Sequence, residues 1–132
     1  MSHIAFVTTE LAPHTPGGAG VLVSELRREL VEAGHRVSIV LAAEPKESIS
    51  DASIVVAEGD DPAGWDLPFM TVSKAAAEAL AGLHATDPVD LVEIQDFDGL
   101  AFWTLTHRRD LGVAETPVLV RFHGPVDLQT LA

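Results

Sequence analysis

A short apolar strand, a glycine-rich loop, an amphipathic helix and a second apolar strand follow one another within residues 4–41. No other feature narrows the fold as much. Ile4–Thr8 is rich in branched residues with little polar alternation, which predicts a strand buried on both faces. Pro13, Pro16, Gly17, Gly18 and Gly20 then mark a loop. Over residues 19–33, Leu22, Val23, Leu26, Leu30 and Ala33 recur at helical spacing and form one apolar stripe. Arg28 can pair with Glu25 and Glu32 on the wet side. Gly34 stands where a helix commonly ends, and Val37–Leu41 reads as a second buried strand. Strand, helix and strand in this order predict a βαβ unit.

The remainder extends the alternation. Ser53–Ala57 predicts a short strand, and residues 58–68, with two glycines and two prolines, a loop. Ser73 is the expected N-cap of a helix reaching Ala85, with Ala76, Ala77, Leu80 and Leu83 on its apolar side. Leu91–Ile94 predicts a strand. Leu100–Leu111 predicts a helix that is apolar around most of its surface and therefore well buried. Pro117–Phe122 predicts the last strand. The expectation is an α/β fold, a doubly wound parallel sheet of about five strands in the order 3-2-1-4-5. Ligands of such sheets bind beyond the carboxyl ends of the strands. That rule selects the segments after Thr8, Ile94 and Phe122.

Composition limits the classes of function. A chain of 132 residues is the length of one domain. It has no cysteine, so neither a disulfide framework nor a thiolate metal site can form. Its net charge of −12 makes it a poor partner for nucleic acid or anionic lipid. No apolar run approaches the ~20 residues of a membrane span, and the first residues lack a signal-peptide pattern. A cytoplasmic location without membrane insertion is expected. The charge is concentrated: residues 44–66 carry seven acids and one base, and residues 87–98 carry five acids and no base. Solvated connections are the plain explanation. The sharper one is that the second cluster flanks a polar site, where water or a ligand screens its repulsion.

Three segments carry candidate chemistry. Pro16-Gly17-Gly18-Ala19-Gly20 opens a helix, where glycine admits close approach and free N–H groups suit phosphate. The dinucleotide fingerprint fits poorly, since its third glycine falls at Val23, and no Gly-Lys-Ser/Thr is present. A tight turn without a ligand stays open. In Gln95-Asp96-Phe97, Asp96 can cap the next helix, bind a sugar hydroxyl, or both. His123 follows the final strand, where structural and functional roles are both open. No Gly-x-Ser-x-Gly elbow occurs, and no set of His and carboxylates has metal-ligand spacing, so no metal site is expected.

Taken together, these segments resemble the N-terminal domain of retaining GT-B glycosyltransferases, the superfamily of glycosyltransferase group 1 and glycogen synthase. Ile4-Ala5-Phe6-Val7 through Glu10, Pro13, Gly17-Gly18 and Gly34-His35-Arg36-Val37 is similar to that group's opening. Asp90-Leu91-Val92-Glu93-Ile94-Gln95-Asp96-Phe97 resembles its Asp-x-x-His-x-His-Asp-Trp, and Val118–Gly124 its strand ending in a histidine. The resemblance implies a Rossmann-like sheet forming one half of a GT-B fold. It implies transfer of a sugar from a nucleotide-sugar donor to a small-molecule or glycan acceptor, without a separate cofactor. Gly17 and Gly18, and more weakly Gly20, inherit contact with the donor diphosphate or sugar. His123 inherits a catalytic place beside the transferred sugar, and Gln95 and Asp96 lie on the acceptor or sugar side. Glu93 and Gln95 replace the group's two histidines, and Thr15 replaces the lysine of Lys-x-Gly-Gly, which disfavours a bacterial starch-synthase assignment.

A GT-B enzyme needs two such halves, and the second supplies a Glu-x₇-Glu pair that is missing here. The expectation is a domain spanning residues 1–132, incomplete at its C-terminus and inactive alone. Its last strand would then be an unprotected edge that invites self-association. The alternative is a non-catalytic Rossmann-like ligand-binding or interaction module.

Overall fold

In the computed structural model the described residues are 1–45, 47–57 and 68–123. The expected loop over 58–68 falls outside them except for Pro68, as do Lys46 and much of the first acidic segment. Five strands form one sheet in the order β3-β2-β1-β4-β5, and every pairing is parallel. The strands are β1 (His3–Thr8), β2 (Arg36–Leu41), β3 (Ile54–Val56), β4 (Leu91–Asp96) and β5 (Val118–Phe122). The helices are α1 (Gly18–Glu32), α2 (Pro68–Thr86) and α3 (Phe102–Thr106). The sheet order is the one expected from sequence.

Alternation along the strands divides the interior into two cores. Ala5, Val7, Val40, Val92 and Ile94 point to the α2 side and pack with Ala76, Leu80 and Leu100. Ile4, Phe6, Val37, Ile39 and Leu41 point to the other side and pack with Val23 and Leu11, with Leu26 and Leu30 of α1 at the margin. β1 is buried at all six positions, as a central strand covered on both faces should be. Helix α1 ends with Gly34 at φ +94°, in the left-handed conformation expected at that place.

His3 lies in the first strand with its side chain 3% exposed. Nδ1 donates to the Pro88 carbonyl at 2.9 Å, so Nε2 accepts from the Ser38 hydroxyl at 2.7 Å. Both ring nitrogens are therefore satisfied inside the fold.

Two expected elements differ. Ser73 does not cap α2, which begins five residues earlier with a proline in its first turn, a favoured place for that residue. Ser73 is instead buried inside the helix, donating to the Leu100 carbonyl and accepting from the Trp103 amide, each at 2.9 Å. It clamps α2 to α3. The helix expected over Leu100–Leu111 is confined to Phe102–Thr106. A turn with positive φ at Asp98 and Gly99 delays its start, and turns replace it after Thr106, with Gly112 at φ +77°. Arg108 then binds the carbonyls of Ala114 and Thr116. Phe102 and Leu105 are exposed rather than buried.

Candidate functional site

The parallel sheet brings the three segments selected by sequence to one edge. At the first, Thr8 folds the chain by donating its hydroxyl to the Glu10 carbonyl and accepting from the Glu10 amide. This turn sends the Glu10 carboxylate under the start of α1. There Oε2 accepts from the amides of Ala19 at 3.0 Å and Gly20 at 3.3 Å. The positive end of the helix is thus occupied by an anion of the chain itself. Glu10 is the residue that the candidate set lacked. Its spacing of nine and ten residues from its partners gives no local capping signature to read.

The three glycines of this loop are not equivalent. Gly17 has φ +123°, and a Cβ there would lie 2.1 Å from the Glu10 carboxyl carbon. Gly20 is buried, accepts from Ala12 N–H, and would place a Cβ 2.7 Å from the Leu11 backbone nitrogen. Gly18 is exposed with open space around it. So Gly18 borders open space, Gly17 lies against the Glu10 carboxylate, and Gly20 seals the loop against the helix.

The second and third segments meet. Because residues alternate along a strand and register is parallel, Glu93 and Gln95 of β4 share a sheet face with Arg121 and His123 of the β5 segment. Arg121 donates to Glu93 Oε1 from Nε at 3.1 Å and Nη2 at 2.8 Å. Gln95 Nε2 donates to Glu93 Oε2 at 2.8 Å, and Gln95 Oε1 bonds His123 Nε2. Glu93 is 5% exposed and Gln95 2%. A buried carboxylate needs such a cation and a further donor to be tolerated. Asp96, on the opposite face, accepts from the Ala101 amide at 3.1 Å and so holds the 97–101 turn. It does not cap α3, as the sequence allowed, since the N-cap of that helix is Ala101 and no side chain caps it.

The acidic cluster of residues 87–98 is not a pool of unscreened charge. The Arg36 guanidinium hydrogen-bonded to Asp87 holds its carboxyl below the usual carboxylate range. Asp90 accepts from the His3 amide at 2.7 Å, Glu93 pairs with Arg121 and Asp96 caps a turn. Asp98 alone of the five has no hydrogen bond or ion pair among the described residues. Beside it, on the α2 face of the sheet edge, lies a cleft of about 330 Å³ lined by Thr9, Phe69, Val72, Phe97 and Leu100 among others. Its walls are mostly apolar. Among the described residues no group of His and acids is arranged to hold a metal ion, and no helix is long and apolar enough to cross a membrane.

Comparison with known proteins agrees with this architecture. The family model described as Glycosyltransferase Family 4 matches residues 16–131. The chain therefore belongs to glycosyltransferase family 4, as an N-terminal domain of the GT-B fold with a Rossmann-like sheet. Among solved structures it is similar to the catalytic domain of starch synthase IV from Arabidopsis thaliana bound to ADP and acarbose. The TM-score is 0.58 at 17% identity, over 93% of this chain and 34% of that one. The chain thus spans about a third of that structure's length. No curated protein sequence matches.

Proposed function

We propose that this chain is the acceptor-side part of a retaining glycosyltransferase that moves a sugar from a nucleotide-sugar donor to an acceptor. The observation that carries the reading is the meeting of Gln95 and His123 at the carboxyl end of the sheet, in a chain of glycosyltransferase family 4. An imidazole held there by a buried amide can hydrogen-bond a sugar hydroxyl and sit beside the positive charge that develops as the glycosidic bond to the donor breaks. Gly17 and Gly18 lie on the donor-phosphate side in this reading, and the open space at Gly18 admits close approach. Gln95 and Asp96 lie toward the transferred sugar and acceptor. The ADP named with the starch synthase structure fits a nucleotide donor.

A single half of a cleft neither aligns two substrates nor excludes water. The residues 1–132 alone are therefore inactive in this reading, and the strand edge at β5 is a place of association.

The test is titration of the ¹⁵N-labelled chain with UDP-, GDP- and ADP-sugars. One of them is expected to move the amide signals of Gly17 and Gly18 together with the His123 ring. Absence of movement with all three at millimolar concentration would remove the donor contact and leave a non-catalytic module. Sugar transfer by this chain alone, followed with a radiolabelled donor, would refute its inactivity.

A further inference from the structure

The chain of bonds from Arg121 to His123 has a direction, and the direction can be deduced. A carboxylate is an acceptor only, and both Glu93 oxygens are in use: Oε1 by Arg121 and Oε2 by Gln95. The Gln95 group facing Glu93 must then be its NH₂. An amide has one NH₂ and one oxygen, so the group facing His123 is the oxygen. An oxygen accepts, so His123 Nε2 must carry the proton. Nδ1 has no partner among the described residues. In the neutral ring it is left as a lone pair.

We infer that Glu93 and Arg121 are positioning residues which, through Gln95, fix His123 as the Nε2–H tautomer and present Nδ1 to the site as a hydrogen-bond acceptor. Alone, a glutamine beside a histidine settles nothing, because its amide can turn over and either ring nitrogen can take the proton. Glu93 removes that freedom, and Arg121 stabilises the buried carboxylate that does so. The group Nδ1 selects is one that brings its own proton, such as a hydroxyl, and not the oxygen of a phosphate. A lone pair there also suits a neighbour that becomes cationic. The ligand half of this inference rests on the function proposed above, and the tautomer does not.

The experiment is a long-range ¹H–¹⁵N correlation of the histidine rings in the uniformly labelled chain, at a pH well above the ordinary histidine range. His123 is assigned by its loss in His123→Gln. A pyrrole-type Nε2 and a pyridine-type Nδ1, without averaging, are expected. An Nδ1–H tautomer, or averaged shifts at both nitrogens, overturns the inference. Folded Glu93→Gln is expected to reverse the pattern to Nδ1–H, because Arg121, a donor only, holds the oxygen of the new amide and leaves its NH₂ toward Gln95, whose own NH₂ then faces Nε2. Retention of the pattern in that variant removes the role of Glu93. The wild-type spectrum decides even if the variant does not fold. Addition of the nucleotide-sugars separates the two readings: a fixed tautomer whose Nδ1 none of them moves counts against the donor contact and leaves the relay in place.

Discussion

At Gly20 two local preferences oppose each other. Alanine is favoured over glycine in a helix by about 1 kcal/mol. Here the added methyl would meet the Leu11 nitrogen at 2.7 Å and the Glu10 carbonyl carbon at 2.9 Å, and backbone cannot step aside as a flexible side chain can. Gly20→Ala is therefore expected to lower stability by about 1–3 kcal/mol, the cost of overpacking. Gly18→Ala, with open space at its Cβ, should stay within about 0.5 kcal/mol of the parent. Urea denaturation of the two variants checks both, and equal midpoints would refute the distinction. The glycine run itself was plain in the sequence, but not which glycine does what. That depends on Glu10, whose carboxylate arrives from outside the helix. His3 was hidden for a similar reason. Its partners, Ser38 and Pro88, are 35 and 85 residues away, and only the parallel pairing brings them together. At Asp51, hydrogen bonds from the Ser53 side chain and from Arg27 hold the carboxyl well below the usual carboxylate range. This contribution is present above that range and is lost as the solution becomes strongly acidic.

Among the elements, those with a strong period were legible and those held by long-range contacts were not. β1, α1 and β2 lie within a residue or so of their expected bounds, because buried branched runs and a helical stripe are local patterns. The segment after β4 was misread because its apolar content suggested a buried helix. Three positive φ angles and the Arg108 contacts, none of them visible in hydropathy, shorten it. Ser73 was misread because serine before an apolar helical run has the pattern of a cap, whereas its partners lie on α3 and in the turn before it. From this follows a prediction for the α2–α3 pair. Ser73→Ala leaves the Leu100 carbonyl and the Trp103 amide without their shared hydroxyl, and should cost about 1–3 kcal/mol. Trp103 packs flat against His107, with ring centroids 4.1 Å apart. Its fluorescence in the native baseline should change in the variant, and an unchanged midpoint would show the clamp to be dispensable.

At the scale of the whole molecule, the sheet order and the convergence of three segments at one edge could be read from alternation alone. The relay of Glu93, Gln95, Arg121 and His123 could not, since its members come from two strands whose register no local signal states. The same strands leave Leu119 about half exposed and Phe122 at 68%. Self-association through this edge predicts an apparent mass that rises with concentration in light scattering. Leu119→Lys should abolish the rise, as a lysine blunts an open strand. A concentration-independent monomer mass for the parent chain would end the proposal. β4 has a wider consequence. On one face Glu93 and Gln95 build the polar relay, and on the other Val92 and Ile94 fill the α2 core. A slip of one residue would carry Glu93 and Gln95 into that core and turn the valine and isoleucine out of it. The chain therefore proofreads its own assembly: a misregistered β4 would have to bury a carboxylate away from its arginine, so any molecule that folds stably has the relay in place.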